Sequence, residues 1–465
     1  MIRRRNNLII IALFLVLCFP TVAQSIYRTA CQGNIARLDS LLRDTVITIQ
    51  DDRGRSLLHW AVACDQKEVV EFLVTKGITT NSRDNEGRTP LYIAVRFKNA
   101  AVFDRLVVLE EETEWTKTEG AALLERAILN KDLAFVEKLI ANQVDINAVN
   151  NRGSTPLEIA LRTEAIAIGT WLIANGANEH LVRKIRLKGT YMGQEAPGRI
   201  PKVFAPNFIS TEESEFGSVF NATGTAFYYG VDVNGKNEIR YSRLEGTTWT
   251  VPEILLSHER YGYNDPFLSP DENRLYFISR RALDGQGDLK DQDIWYVQRT
   301  EDVWSSPINV GPNINSEGNE YYISFTDDGT LYFSSNQAAP DERRQSDYDI
   351  YYSKFSGGTF QKAVRLGDTV NTQAYEADVF IDPRGSYLIF CGIRTEGYGR
   401  GDLYISFKNA DGNWSEAVNM GDAINTKHHE LCPFVSKDGN YLFYTSNQDI
   451  YWVSTAIFEE LKRKG

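Results

Sequence analysis

The chain has 465 residues, 42% of them hydrophobic and 24% charged, which is enough for two or three domains with real cores. Its 62 acidic residues outnumber 50 basic ones, and the formal net charge of −12 disfavours non-specific binding to nucleic acid or to an anionic membrane surface. Five cysteines in so long a chain are too few for a disulfide-built scaffold, and the absence of any CxxC pair argues against structural zinc.

Arg3, Arg4 and Arg5 precede an apolar run from Leu8 to Phe19, followed by Pro20, Thr21, Val22 and Ala23. This is the three-part pattern of a secretory signal peptide over residues 1–23, with cleavage expected ahead of Gln24. A helix over that run, at about 1.5 Å per residue, is too short for roughly 30 Å of hydrocarbon. An uncleaved N-terminal anchor is the alternative. Cleavage would take the net charge from −12 to −15. No later segment is apolar for long enough to span a membrane, so a periplasmic or secreted chain is expected.

Gly54, Gly87, Gly120 and Gly153 stand at equal intervals of 33. The words around them repeat: Asp52-Arg53-Gly54-Arg55-Ser56-Leu57-Leu58-His59, Asn85-Glu86-Gly87-Arg88-Thr89-Pro90-Leu91-Tyr92 and Asn151-Arg152-Gly153-Ser154-Thr155-Pro156-Leu157-Glu158. The third copy, around Gly120, is degraded but in register. Thr89 and Thr155 are expected to cap first helices, with Pro90 and Pro156 in the first turn, where a missing N–H is no loss. Residues 26–180 thus resemble the ankyrin repeat family, whose period is 33 and whose signature is T-P-L-H-x-A. The resemblance implies stacked helix pairs that bind other proteins through their turns and concave face; bracing the next domain is the alternative. It also implies a structural role for His59. Cys31 falls on Cys64 when shifted by 33, so the two are expected as packed thiols rather than a reactive pair.

Residues 181–201 break the helical period and read as a linker with a basic cluster at Arg183, Lys184, Arg186 and Lys188. From residue 202 to 455 the period changes to about 54, in five copies. Each has an acidic residue opening an apolar stretch (Glu215, Asp265, Glu320, Glu376 and Glu430), then a turn such as Asp328-Gly329 or Asp438-Gly439, then an aromatic-rich strand. A further strand opens with Asp293, Asp349, Asp402 or Asp449, and a last short one follows a bulky ring at Trp249, Trp304, Phe360 or Trp414. Ser269-Pro270-Asp271-Glu272-Asn273-Arg274-Leu275-Tyr276-Phe277-Ile278-Ser279 resembles the phrase of the WD40-like repeat of TolB-type periplasmic propellers, with Asn273 read at the usual glycine. Four strands per unit predict a five-bladed β-propeller. The last copy lacks its outer strand, and residues 202–210 match residues 308–316. Residues 202–205 are therefore expected to complete the last blade and hide its edge, leaving 456–465 as a tail.

The fold class expected is a helical solenoid followed by an all-β propeller. If the five acidic residues that open each copy face a central channel, they form a negative mouth for a metal ion, a cationic peptide or sugar hydroxyls. Otherwise each accepts hydrogen bonds within its own blade. Calcium is the one cofactor this pattern leaves open. His428-His429-Glu430 is a compact cluster that would need another ligand to hold a metal. Tyr261, Tyr263, Tyr322, Tyr375 and Tyr398 are either surface platforms or filler between sheets. Cys391 and Cys432 are either one disulfide or two buried small hydrophobes. There is no HExxH, GxSxG or P-loop motif. The expected function is an exported, non-catalytic interaction scaffold with a protein partner of the cell envelope and no nucleic acid. The alternative is a carbohydrate-binding or glycan-processing protein acting through an acidic propeller mouth.

Overall fold

The computed structural model describes residues 22–43, 47–109, 114–163, 165–178, 187–211, 213–233, 235–301, 303–337 and 347–463. The proposed signal segment up to residue 21, and Arg183, Lys184 and Arg186 of the basic cluster, lie outside the described residues. The chain divides into two compact units, Met1–Arg183 and Lys184–Gly465. Among the described residues no helix is long and apolar enough to cross a membrane.

The first unit is an ankyrin solenoid of paired antiparallel helices. Its repeating turn is built on an Asx side chain at 33-residue spacing. One carboxylate oxygen of Asp51 accepts from the N–H groups of Arg53 and Arg55, both at 2.9 Å, and Asp84 does the same for Glu86 and Arg88 at 3.0 and 2.9 Å. Asn150 repeats the pattern with Arg152 and Ser154. The glycine that follows lies in the left-handed region, with φ of 71°, 76° and 76° at Gly54, Gly87 and Gly153. Thr89 caps Pro90–Arg96 by accepting from the N–H of Tyr92, and Thr155 forms a reciprocal capping box with Glu158 ahead of Pro156–Arg162. The third copy departs because Lys117 stands where the Asx residue belongs. A short helix, Trp115–Thr118, replaces the turn, and the next helix, Gly120–Leu129, already starts at the glycine. Gly120 is tolerated there because a Cβ would lie 2.9 Å from Val144.

Cys31 ends helix Val22–Cys31 and Cys64 caps Leu57–Ala63. The two are disulfide-bonded, with Cα atoms 5.2 Å apart. This corrects the expectation of merely packed thiols: the shared stacked position brings the two sulfurs within bonding reach. Closing a loop of this sequence separation restricts the unfolded chain by about 4 kcal/mol. Reduction, or Cys31→Ser, is therefore expected to lower the melting temperature of the ankyrin transition in the full chain. Differential scanning calorimetry with and without reductant measures this, and an unchanged transition would remove the disulfide from the stability of the stack. Cys391 and Cys432 are free and buried, as two small hydrophobes.

The second unit is a five-bladed propeller of antiparallel sheets. Blade 1 runs Ser214–Phe220, Ala226–Asp232, Asn237–Glu245 and Glu253–Leu256; blade 2 runs Asn264–Leu268, Arg274–Ser279, Asp293–Thr300 and Ile308–Asn309. Blade 3 is Glu320–Phe325, Leu331–Ser335, Asp349–Ser353 and Val364–Arg365, and blade 4 is Tyr375–Ile381, Tyr387–Ile393, Asp402–Phe407 and Val418–Asn419. Blade 5 takes Leu431–Val435, Tyr441–Ser446 and Asp449–Ser454 from the end of the chain and its outer strand, Lys202–Val203, from the start of the unit. Lys202 pairs with Trp452 and Val203 with Tyr451, so the ring closes as expected. In blade 2 the left-handed turn residue is Glu272, with φ 56°, not Asn273, so the phrase aligns one residue earlier than read from the sequence.

From residue 187 the stretch read as linker is built into the propeller. The N–H of Trp249 donates to Leu187, its indole donates to Gly189 and the N–H of Ser454 donates to Gly198. Met192 is buried in the propeller core, and Tyr191 packs against Phe220, Tyr441 and Trp452 with ring centroids 4.9 to 5.8 Å apart.

Candidate functional site

Four of the five carboxylates expected at a channel mouth are consumed inside their own blades. Glu320 accepts from the N–H and hydroxyl of Ser316 at 3.1 and 2.7 Å and from Ser335 at 2.8 Å. Glu376 accepts from the N–H and hydroxyl of Thr372 and pairs with Arg394 at 3.5 Å. Glu430 accepts from Thr426 and Ser446, and Glu215 from Thr211. All four side chains are buried. Burial pushes the Glu320 carboxyl up to about 7 and raises Glu376 and Glu430 above the usual range. The reading of a negative mouth is therefore corrected: these groups tie each inner strand to the segment that enters it.

The fifth member, Asp265, is out of register with the others. Position by position, blade 2 carries Tyr263 where its neighbours carry glutamate, and Asp265 stands two residues on. There it matches Gly217, Tyr322, Asp378 and Cys432. All five lie in the left-handed region, with φ of 46°, 49°, 42°, 53° and 53° along the ring from Gly217 to Cys432. Each sits within a register shift of its inner strand. Such a bulge re-aims a side chain, and here five bulges aim theirs inward. Contacts between blades that are not neighbours prove the point. The Cys432 thiol donates to Asp265 at 3.4 Å, from blade 5 to blade 2, and the Tyr322 hydroxyl donates to the Pro433 carbonyl at 2.8 Å, from blade 3 to blade 5. Such pairs meet only across the middle of the ring. The opening expected from the sequence is therefore plugged at this level by Asp265, Tyr322, Asp378 and Cys432. Gly217 completes the set because a Cβ there would lie 2.7 Å from an Asp265 oxygen.

The plug is electrostatically unusual. Burial raises the Asp265 carboxyl to about 6, the Cys432 thiol hydrogen bond opposing the rise. Burial, with the charge of Asp265 added, raises Asp378 to about 8. Both the Tyr322 phenol and the Cys432 thiol are pushed well above their usual values by burial and by the nearby carboxylates.

Three members of the second acidic series are engaged inside their blades. Asp349 takes a two-pronged ion pair from Arg365 at 2.8 and 3.0 Å, Asp293 binds Lys290 and Asn309 at 2.7 Å, and Asp402 accepts from Tyr398, Gly399 and Asn419. His429 lies 3.3 Å from the Cys391 sulfur, and burial lowers it to about 4. With Glu430 turned to Thr426, the His428-His429-Glu430 cluster is not assembled as a metal site. Among the described residues no group of three or more His, Cys, Asp or Glu side chains is placed to hold a metal ion. His59 is the structural histidine of its repeat: its Nε2 lies 3.0 Å from the Arg88 carbonyl, and its Nδ1 faces the Ser56 hydroxyl and N–H at 2.8 and 3.2 Å. Tyr261 and Tyr263 are buried, Tyr322 is buried in the plug, Tyr375 is half-buried and Tyr398 is exposed.

Sequence reasoning missed a set of buried asparagines. Asn315, Asn371 and Asn425 each accept from a backbone N–H and donate to the carbonyl of the same residue, Ile294, Ile350 and Leu403, at 2.7 to 3.0 Å. Each side chain adds a rung to the third strand beyond the end of the short outer strand. The signal was present: Asn, then Ser or Thr, then glutamate four residues on, as in Asn315-Ser316 with Glu320.

An open groove lies on the turn side between blades 3 and 4, with a volume of about 710 Å³. Tyr332, Tyr352 and Trp414 line it together with Lys354, Arg384 and Lys408.

Residues 26–119 match a family model described as "Ankyrin repeats (3 copies)", and residues 106–160 match one described as "Ankyrin repeats (many copies)". No curated protein matches the chain. Among solved structures, the human ASB11 ankyrin repeat domain is similar at 23% identity, covering 33% of this chain and 69% of that one, with a TM-score of 0.29.

Proposed function

We propose that the chain is an exported interaction scaffold that holds a protein partner of the cell envelope, with a propeller of the WD40-like, TolB-type family as its second binding unit. One observation carries this reading. The polar residues that recur in every blade are occupied in holding the blades, whereas the ankyrin turns present Asp52, Asn85 and Asn151 exposed at repeat spacing. Repeat stacks of this kind offer an extended row of turns to a partner. The Cys31–Cys64 disulfide supports export, because such bonds persist in oxidising compartments. The arginine-led apolar run before residue 24 supports it too.

Photo-crosslinking residues placed at positions 52 and 151 in the native host test the partner. The expected result is one and the same protein joined at both positions and not from position 67, on the second helix of its repeat. Equal capture at all three sites, or none, overturns the scaffold reading. Mass measurement of the chain recovered from the envelope is expected to begin at Gln24; an intact Met1 overturns cleavage at that site.

A further inference from the structure

We infer that the groove between blades 3 and 4 is a binding site for an anionic saccharide of two or three units, a ligand site separate from the protein contact proposed above. Several basic side chains elsewhere in the propeller are paired with carboxylates: Arg240 with Glu238 at 2.7 Å, Lys290 with Asp293 at 2.7 Å, Arg365 with Asp349 at 2.8 Å. Lys354, Arg384 and Lys408 are exposed, and none of them makes an ion pair among the described residues. Three cations thus line one groove of a chain whose net charge is −12, Lys354 being near enough to Asp328 to help the Thr326 hydroxyl hold that carboxyl below its usual range. Two carboxylates share the groove. Asp328 is engaged by its own turn, accepting from Thr326 at 2.6 Å and from the N–H of Thr330 at 3.0 Å, while Asp327 stands exposed.

The floor of the groove is aromatic. Tyr332 and Tyr352 are cross-strand partners whose rings stack at 5.8 Å and 27°, and Trp414 lines the groove with them, the Lys408 ammonium 5.2 Å from its ring centre. These rings join a small apolar cluster with Leu366, apart from the main propeller core. A sugar ring presents an apolar C–H face that lies flat on such rings, and an edge of hydroxyls that needs both donors and acceptors. The tyrosine hydroxyls and Asp327 supply both. An acidic group on the sugar then meets Lys354, Arg384 or Lys408, the arginine being suited to a carboxylate by its planar fork. An acidic peptide would use the cations but leave the aromatic floor and the exposed Asp327 without a role. The volume of about 710 Å³ accommodates a short oligomer.

Calorimetric titration of the full chain with a trimer of galacturonic acid tests this, beside a neutral galactose trimer and a hexaglutamate peptide. The acidic trimer is expected to bind, and the neutral trimer at least tenfold more weakly. Lys354→Gln with Arg384→Gln is expected to weaken the acidic trimer at least tenfold with an unchanged melting temperature. Trp414→Phe, which keeps a ring, is expected to weaken it less than threefold. Absence of binding by the acidic trimer overturns the site. So does indifference to the double substitution, or equal binding of the neutral trimer. Hexaglutamate binding as tightly as the trimer reassigns the groove to an acidic peptide and overturns the saccharide.

Discussion

Phe204→Ala is expected to destabilise the propeller by about 4 kcal/mol, the range for removing a large buried ring, while leaving the ankyrin transition where it was. Phe204 follows the two-residue strand that closes the ring and is fully buried. Its ring meets Phe227, Phe443 and Trp452 at 5.1 to 5.3 Å and Phe220 at 5.9 Å, so it touches blades 1 and 5 at once. Its N–H donates to the Ile450 carbonyl at 2.8 Å, extending the pairing of Lys202 and Val203 with the last blade. Removing the ring therefore opens a cavity at the one junction in the propeller where the blade order depends on residues far apart in sequence. Val203→Ala, which keeps the strand and removes two half-exposed methyl groups, is expected to cost less than about 1 kcal/mol. Urea titration followed by tryptophan fluorescence compares them. A Phe204→Ala midpoint no lower than that of Val203→Ala would mean that the N-terminal strand decorates the ring instead of locking it. A fall in the ankyrin transition as well would mean that the two units do not unfold independently.

That closure was legible because residues 202–210 repeat the wording of residues 308–316, and both wordings serve the same geometry. Phe204 and Val310 each donate to the third strand of a blade, Phe204 to Ile450 and Val310 to Ile294. The match slips by one residue near its end, so Ser210 takes over the role of Asn315: its hydroxyl lies 3.4 Å from the Ile450 carbonyl. The ankyrin stack was legible for a similar reason, since an Asx residue, a left-handed glycine and a capping threonine each impose one geometry. What escaped was the centre of the propeller. The five bulge positions are Gly, Asp, Tyr, Asp and Cys, which share no chemistry. Their common property is a backbone conformation set by the ladder around them, and no residue type announces it. Asp265 was misplaced because blade 2 has no glutamate in its inner strand, and the nearest acid stood in for one. The disulfide was missed for the opposite reason: the register was right, and the distance it implied was shorter than assumed.

Asp378→Asn is expected to leave stability nearly unchanged at pH 4 and to raise it progressively towards pH 8. The carboxyl faces Asp265 and Cys432 across the middle of the ring, with Tyr321, Tyr322, Tyr375 and Cys391 also within electrostatic reach. Burial and the Asp265 charge hold its pKa in the folded protein at about 8. The ordinary value for the unfolded chain is about 3.9. A raised carboxyl favours the folded state while it is protonated. That contribution is complete below about pH 4 and is lost as the pH climbs towards 8. By linkage the loss from this residue alone is roughly 4 kcal/mol between pH 5 and pH 8. Asp265, raised to about 6, adds a smaller loss in the lower part of the same window. Asparagine preserves the shape of the neutral acid and cannot ionise, so the substitution removes the larger loss while keeping the packing of the plug. Thermal unfolding of both proteins across pH 4 to 9 reads this as curves that coincide near pH 4 and separate progressively above it, the variant melting higher. Parallel curves would show that Asp378 is not protonated in the folded protein, and that water or a cation reaches the middle of the ring. A variant that melts lower at every pH would show instead that the carboxyl accepts bonds an amide cannot replace.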